Sequence, residues 1–223
     1  MMTQSSVHNP HLLYVADPMC SWCYGFSPVI GAVAAHFGDR LPIRLLMGGL
    51  RAGNTQAMRE QDREYIRNAW TRVGAATGQP FDFAFFDRET FTYDTEPACR
   101  AVVVARTLNT PKALGYMAAV QRGFYGANRD TTNAEVLVDI AAEEGFDRPA
   151  FVEAIVSPDI KNATFRDFLV AQQAGIQGFP ALLASRGGDE YALVTNGYRP
   201  LDGLIEALED WMAVAPPASA NDN

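Results

Sequence analysis

Two cysteines three residues apart constrain this chain more than any other feature of its sequence. Cys20 and Cys23 follow the short apolar run 12–16 and precede a longer apolar stretch, 29–37. The pair therefore lies where a strand gives way to a helix. Free backbone N–H groups and the positive end of the helix dipole stabilise a thiolate at that place. We predict that Cys20 is the catalytic nucleophile and that Cys23, one helical turn later, resolves the mixed disulfides that Cys20 forms.

The same spacing is also found in zinc sites and in structural disulfides. Zinc usually takes four ligands, and the sequence offers few others besides the pair: Cys99, His8, His11 and His36. A structural disulfide does not suit a chain with three cysteines, an odd number that is typical of a reducing compartment. We therefore expect a redox pair, with no metal and no cofactor.

The charge and hydropathy of the chain oppose several classes of partner. Its formal net charge is -8, and no run rich in lysine or arginine offsets it locally. This charge disfavours nucleic acid and anionic lipid. No segment reaches the ~18 consecutive apolar residues of a membrane span, and residues 1–8 lack the basic start of a secretion signal. We expect a cytoplasmic protein that binds neither nucleic acid nor a membrane.

The first part of the chain predicts a parallel β–α–β unit. Residues 12–16 and 43–47 are apolar runs of strand length, and a helix is predicted between them over 22–37. The carboxyl ends of such strands are where α/β sheets hold their sites. Gly48 and Gly49, which follow the second strand, are predicted to form a turn rather than a phosphate loop, because the Lys-Ser/Thr of such loops is missing.

Beyond the second strand the pattern becomes helical and then returns to α/β. Helix starts are predicted at Asp94 or Thr95, at Thr110-Pro111 and at the capping box that begins with Thr132. A short helix at 149–156 follows, and then a helix at 159–174, a hairpin through Gly187-Gly188 and a last helix at 201–214. The predicted organisation is a discontinuous domain of residues 11–50 and 158–214, a helical insertion at 51–157 and a disordered tail at 215–223.

Two further positions stand out. Pro180 begins a predicted strand, where proline removes a ladder donor; a cis peptide that exposes the preceding backbone to a partner explains it, and so does an ordinary edge strand. Cys99 lies in an apolar helical run, 98–105, and is predicted to be a small core residue.

Several of these motifs together resemble the DsbA-like thioredoxin superfamily. They are Cys20-Ser21-Trp22-Cys23 after the first strand, the helical segment in mid-chain, and Gly178-Phe179-Pro180 before the last hairpin. The motifs at 17–23 and 96–101 are most similar to the FrnE-like cytosolic branch, often described as protein-disulfide isomerases. The resemblance implies an α/β thioredoxin-like fold with a helical insertion domain and the activity of a thiol-disulfide oxidoreductase or isomerase.

The resemblance also implies roles for individual residues. Cys20 attacks, Cys23 resolves, and Pro180 faces both across the substrate groove as a cis-proline. Trp22 and Phe179 join Pro180 as substrate-binding residues. Substrates would be protein or low-molecular-weight disulfides and thiols, glutathione among them. Ser21-Trp22 replaces the Pro-His of the periplasmic oxidant, so an imidazole that would help to stabilise the thiolate is absent.

Two other functions remain open from the sequence. One is a glutathione-dependent transferase or isomerase of the kappa type, which shares the fold but typically has serine at the position of Cys20. Retention of both cysteines favours disulfide exchange over this function. The other is a redox-sensing binding protein, in which oxidation of the pair switches a partner surface and no disulfide substrate is turned over.

Overall fold

A four-stranded sheet organises the protein, as described by a computed structural model over residues 10–188 and 190–214. The strands are β1 (His11–Ala16), β2 (Ile43–Met47), β3 (Ala181–Ser185) and β4 (Ala192–Asn196). Their order is β2-β1-β3-β4, with β1 parallel to β2 and antiparallel to β3. The predicted parallel unit is confirmed. Pro180 directly precedes β3, which lies between two other strands, so it is not an edge-strand proline.

The described part of the chain also contains eight α-helices: α1 (Ser21–Phe37), α2 (Glu60–Thr77), α3 (Glu96–Leu108), α4 (Thr110–Gln121), α5 (Ala134–Glu143), α6 (Arg148–Ile155), α7 (Pro158–Gln173) and α8 (Leu204–Ala213). Helices α2 to α6 lie between the predicted thioredoxin-like segments, and all four strands lie within those segments. The domain boundaries themselves stay a prediction. In the ranges that the structure describes, no helix is both long enough and apolar enough to span a bilayer.

Some helix ends differ from the predicted ones. Helix α5 is capped by Asn133, whose side chain accepts from the Glu135 N–H, while the hydroxyl of Thr132 is bonded to Asp130 instead. The predicted Thr132 capping box is therefore wrong. Helix α8 begins at Leu204 rather than at position 201, because Gly203 adopts a left-handed conformation with φ 67°. The predicted tail at 215–223 lies outside the described residues.

An aromatic cluster joins the helix that carries the cysteines to the helical segment in mid-chain. Trp70 of α2 is fully buried and packs edge-to-face with Phe86 and Tyr125, at interplanar angles of 62° and 70° and with ring centroids 4.9 and 5.0 Å away. Tyr24 of α1 stacks on Tyr125 at 4.9 Å. Large aromatic side chains contribute much of the burial energy of a core. These contacts with the helical segment fix the orientation of α1.

The outer edge of β2 is covered by an ion pair between two helices. Asp167 of α7 accepts from the Met47 N–H at 3.0 Å and from Arg106 of α3 at 2.8 Å. Arg106 also donates to the Leu45 carbonyl. The pair satisfies strand groups that would otherwise form an open edge.

Asp167→Ala should destabilise the protein by about 2–4 kcal/mol, because it leaves the Met47 N–H without an acceptor and the partly buried Arg106 charge without its carboxylate. Glu143→Ala, which breaks the more exposed Arg129–Glu143 pair, should cost less than about 1 kcal/mol. Urea unfolding of both variants measures the difference. Equal losses of unfolding free energy would show that the ion pair at the β2 edge contributes no more than an exposed one.

Candidate active site

The structure gives the two cysteines of the motif different surroundings. Cys20 is the N-cap of α1, with extended φ and ψ of -94° and 118°, and its carbonyl accepts from the Tyr24 N–H at 3.0 Å. Its exposed fraction is 6%, whereas Cys23 is fully buried in the first turn. All three cysteines are free thiols. The helix begins one residue earlier than predicted, which leaves Cys20 at its very start.

The segment before β3 lies against the sulfur of Cys20. The Cys20 thiol donates to the carbonyl of Phe179 at 3.5 Å, and the Phe179–Pro180 peptide bond is cis. The Pro180 carbonyl in turn accepts from the Gly197 N–H at 2.7 Å. Trp22 is half-buried, and its ring lies 5.8 Å from the ring of Tyr198, the residue after Gly197. The predicted site residues therefore come together; their roles with substrate stay predictions.

Gly48 leaves the space that the ring of Phe179 occupies. A Cβ atom at position 48 would lie 2.1 Å from Phe179 Cζ, closer than any real contact. The Gly48 N–H donates to the Ala16 carbonyl at 2.8 Å and so extends the pairing of β1 with β2. Gly48 is thus a packing surface for Phe179, and the hydrogen-bonded turn that follows runs from Gly49 to Ala52.

The carboxyl group of Asp17 organises the loop that leads to Cys20. It is fully buried and accepts from the Met19 N–H at 2.8 Å and from the Leu50 N–H at 2.7 Å. The thiol of Cys99 donates to it at 3.4 Å. Burial raises the pKa of Asp17, while hydrogen bonds from Thr95, Met19, Leu50 and Cys99 counteract this. Asp17 was not predicted to have a role; its place before a proline in the cysteine loop was the available signal.

Tyr93 approaches the same loop from the helical segment and was also missed from the sequence. Its hydroxyl donates to the Met19 carbonyl at 2.7 Å and lies 3.4 Å from the hydroxyl of Tyr125. Burial is the main cause that raises the pKa of Tyr93, and negative charge on Asp17 and Cys20 raises it further. The phenol therefore stays protonated, and its hydroxyl keeps donating to the carbonyl of Met19, the residue before Cys20.

Burial also keeps the other two thiols protonated. It raises the pKa of Cys23, and the neighbouring Cys20 raises it further through a hydrogen bond and its charge. Burial and the charge of Asp17 raise the pKa of Cys99. Cys99 is fully buried, as predicted for a core residue, but its thiol is also a donor to Asp17.

The residues considered for zinc are spread over the molecule. His11 contacts the Tyr191 hydroxyl at 3.1 Å, and His36 contacts Glu209 at 2.8 Å. His8 lies outside the described residues. Within the part of the chain that the structure describes, no three side chains of histidine, cysteine, aspartate or glutamate form a group that could hold a metal ion.

Comparison with known proteins agrees with a thioredoxin-like redox protein. The DSBA-like thioredoxin domain family matches residues 12–209, so the chain belongs to this family. A crystal structure from Nitrosomonas europaea, provisionally described as a protein disulfide isomerase, is 36% identical, with a TM-score of 0.85 over 92% of this chain and 98% of that one. The cytosolic disulfide reductase DsbM from Pseudomonas aeruginosa, solved with GSH, is 26% identical, with a TM-score of 0.75 over 92% and 100%.

More distant relatives carry another description. The ClpXP adapter protein SpxH from Halalkalibacterium halodurans is 21% identical over 206 residues, which are 90% of this chain and 67% of that protein. SpxH from Bacillus subtilis is 20% identical over 74% of this chain and 55% of its own length. The family match confirms the predicted resemblance, the thioredoxin-like fold and the enzyme class of thiol-disulfide oxidoreductases and isomerases.

Alkylation of the reduced native protein at pH 8 should modify Cys20 first. Cys23 and Cys99 should react at least about tenfold more slowly, because they are buried and their raised pKa keeps them protonated, and the thiol form is not nucleophilic. Timed iodoacetamide labelling with peptide mass spectrometry measures the order. In guanidinium, which unfolds the protein, the three cysteines should be alkylated at similar rates. Early labelling of Cys99 in the native protein would contradict Cys20 as the most reactive thiol.

Tyr93→Phe should slow alkylation of Cys20 at pH 6 by about two- to fivefold, because a buried donor dipole that points toward the Cys20 loop is lost. Tyr116→Phe is the matched control, since the buried hydroxyl of Tyr116 in α4 makes a similar bond to the Leu137 carbonyl in α5, at 2.9 Å. Both variants should lose about 1 kcal/mol of unfolding free energy. If both leave the labelling rate unchanged, Tyr93 has only a structural role.

Proposed function

We propose that the protein is a cytoplasmic thiol-disulfide oxidoreductase or isomerase that works through Cys20-Ser21-Trp22-Cys23. The observation that carries the proposal is the asymmetry of the pair. Cys20 lies at the start of a helix and retains some exposure, whereas Cys23 is enclosed and its pKa is raised by burial. One cysteine can reach a substrate and the other can reach only Cys20. Membership of the DSBA-like family supports the same reaction.

Exchange would proceed in two substitutions at sulfur. The Cys20 thiolate attacks one sulfur of a substrate disulfide, forms a mixed disulfide and releases the other sulfur as a thiolate, which takes up a proton. Cys23 then loses its proton and attacks the Cys20 sulfur, which forms the Cys20–Cys23 disulfide and releases the second substrate thiol. The protein gives up two electrons and two thiol protons, and the substrate is reduced; the reverse sequence oxidises a dithiol.

The substrate is expected to lie against the segment of Phe179 and Pro180. The Phe179 carbonyl already touches the Cys20 sulfur, so any group bonded to that sulfur must pass beside it. Trp22 and Phe179 are half-buried and offer apolar rings at this place. We propose that Trp22, Phe179 and Pro180 form the substrate-binding wall of the site.

Low-molecular-weight thiols are proposed as partners besides protein disulfides. DsbM, which is described as cytosolic and was solved with GSH, is similar over its whole length, and this similarity supports both glutathione as a partner and the cytoplasm as the location. The kappa-type transferase is less favoured, because such a reaction does not require the buried thiol of Cys23.

A redox-sensing adapter is the second candidate function. The similarity to SpxH, an adapter protein, favours it, although the identities are only 21% and 20%. A pure sensor would undergo oxidation of Cys20 and Cys23 without catalytic turnover. Multiple turnovers of a model disulfide with glutathione as reductant would therefore favour the enzyme.

Cys23→Ser should accumulate a mixed disulfide at Cys20 when it is incubated with a protein disulfide, because the attack remains and the resolving thiol is gone. Cys20→Ser should trap nothing, and Cys99→Ser should behave as the wild type. Non-reducing gels and mass spectrometry detect the adducts. Equal trapping by the Cys20 and Cys23 variants would contradict the order of attack.

A further inference from the structure

Two half-buried arginines in the described ranges differ from the rest in lacking an acceptor for the guanidinium group. They are Arg51 and Arg199; neither reaches a carboxylate or carbonyl among the residues that the structure describes. The other half-buried arginines all donate to an oxygen atom: Arg63, Arg88, Arg100, Arg106, Arg129, Arg148 and Arg186. A partly desolvated guanidinium without an acceptor suits an anionic ligand.

The sheet topology places both arginines at the edge that carries Cys20. β1 and β2 are parallel, and β4 also runs parallel to β1 because both are antiparallel to β3. Arg51 follows β2, Cys20 follows β1 and Arg199 follows β4. In the order β2-β1-β3-β4, the two arginines therefore lie on opposite sides of Cys20. Strand spacing puts β2 and β4 about 14 Å apart.

Contacts fix the loop of Arg51 beside the redox motif. The Arg51 Cζ atom lies 5.4 Å from the ring centroid of Tyr93, whose hydroxyl donates to the carbonyl of Met19. The backbone N–H of Arg51 donates to the Thr95 hydroxyl at 3.2 Å. The charge of Arg51 slightly lowers the pKa of Asp62, but that carboxylate is bonded to Arg59, the larger cause.

The loop of Arg199 is fixed on the other side. The Gly197 N–H donates to the Pro180 carbonyl, and Tyr198 lies against Trp22. Arg199 thus follows directly on two residues that contact the predicted substrate-binding wall. Both arginine loops thus lie near Cys20: the Arg51 side chain packs on Tyr93, which contacts Met19, and Tyr198, the residue before Arg199, packs on Trp22.

We propose that Arg51 and Arg199 bind the two terminal carboxylates of a glutathione-type thiol whose sulfur exchanges with Cys20. The inference rests on the proposed exchange reaction. A tripeptide spans about 10 Å, and its central sulfur leaves one carboxylate on each side within reach of a long arginine side chain. The guanidinium fork matches a carboxylate. Local cations also offset the net charge of -8, which otherwise repels an anionic thiol.

The test compares oxidation of the reduced protein by glutathione disulfide and by the uncharged hydroxyethyl disulfide. Arg51→Gln and Arg199→Gln should each slow the reaction with glutathione disulfide by roughly five- to tenfold, and the reaction with the uncharged disulfide should be unchanged. Arg51→Lys should keep part of the preference for glutathione disulfide over hydroxyethyl disulfide. Arg44→Gln is the charge-matched control, because Arg44 is exposed near the start of β2, at the far end of the strand, and it should alter neither rate.

Binding separates this proposal from the exchange reaction. Calorimetric titration of Cys20→Ser with S-methylglutathione, which cannot exchange, should show binding that Arg51→Gln and Arg199→Gln each weaken by roughly five- to tenfold. Loss of exchange with both disulfides in the wild type would count against the proposed function, but the titration would still report on the arginines. An unchanged ratio of rates in both variants, or S-methylglutathione binding that is absent or indifferent to the arginines, would overturn the proposal.

Discussion

The hydrogen bonding of the buried Asp17 carboxyl group sets the geometry on which the redox site depends. A carboxylate removed from water costs several kcal/mol unless donors surround it. Here the donors come from three separate segments, the cysteine loop at Met19, the loop after β2 at Leu50 and helix α3 at Cys99. Displacement of any one of them leaves the buried group short of a donor. The loop before Cys20 is thereby held in one conformation by parts of the chain that are distant in sequence.

The environment created in this way separates two chemically identical side chains. Cys20 ends an extended loop as the N-cap of α1 and keeps an exposed fraction of 6%. Cys23 is only one turn away but is enclosed, and burial stabilises its thiol form. Because only a thiolate attacks a disulfide, the order of attack that we propose follows from the surrounding protein. The motif alone does not determine that order.

The elements that local pattern specifies were predicted well. β2 was predicted to the residue, because its apolar run is bounded by Pro42 and the glycine at 48, and the β1–α1–β2 unit follows from run length. Asp17 and Tyr93 were missed because their contacts join residues tens of positions apart, which spacing within a segment does not reveal. The cap of α5 was misassigned because Thr132 and Asn133 are both good caps. Only the neighbouring Asp130, which binds the threonine hydroxyl, decides between them.

The contact of Phe179 with Gly48 has a consequence for how the sequence can vary. The ring fills the space that a side chain at position 48 would need, with no margin left between them. The two positions therefore share one fixed volume at the rim of the site. A relative with this backbone that carries alanine or a larger residue at 48 needs a smaller side chain at 179 or a rotated Phe179 ring, whereas a smaller side chain at 179 is compatible with Gly48. The residue next to the proline is thus selected jointly with a glycine more than a hundred positions earlier, as a pair of complementary sizes.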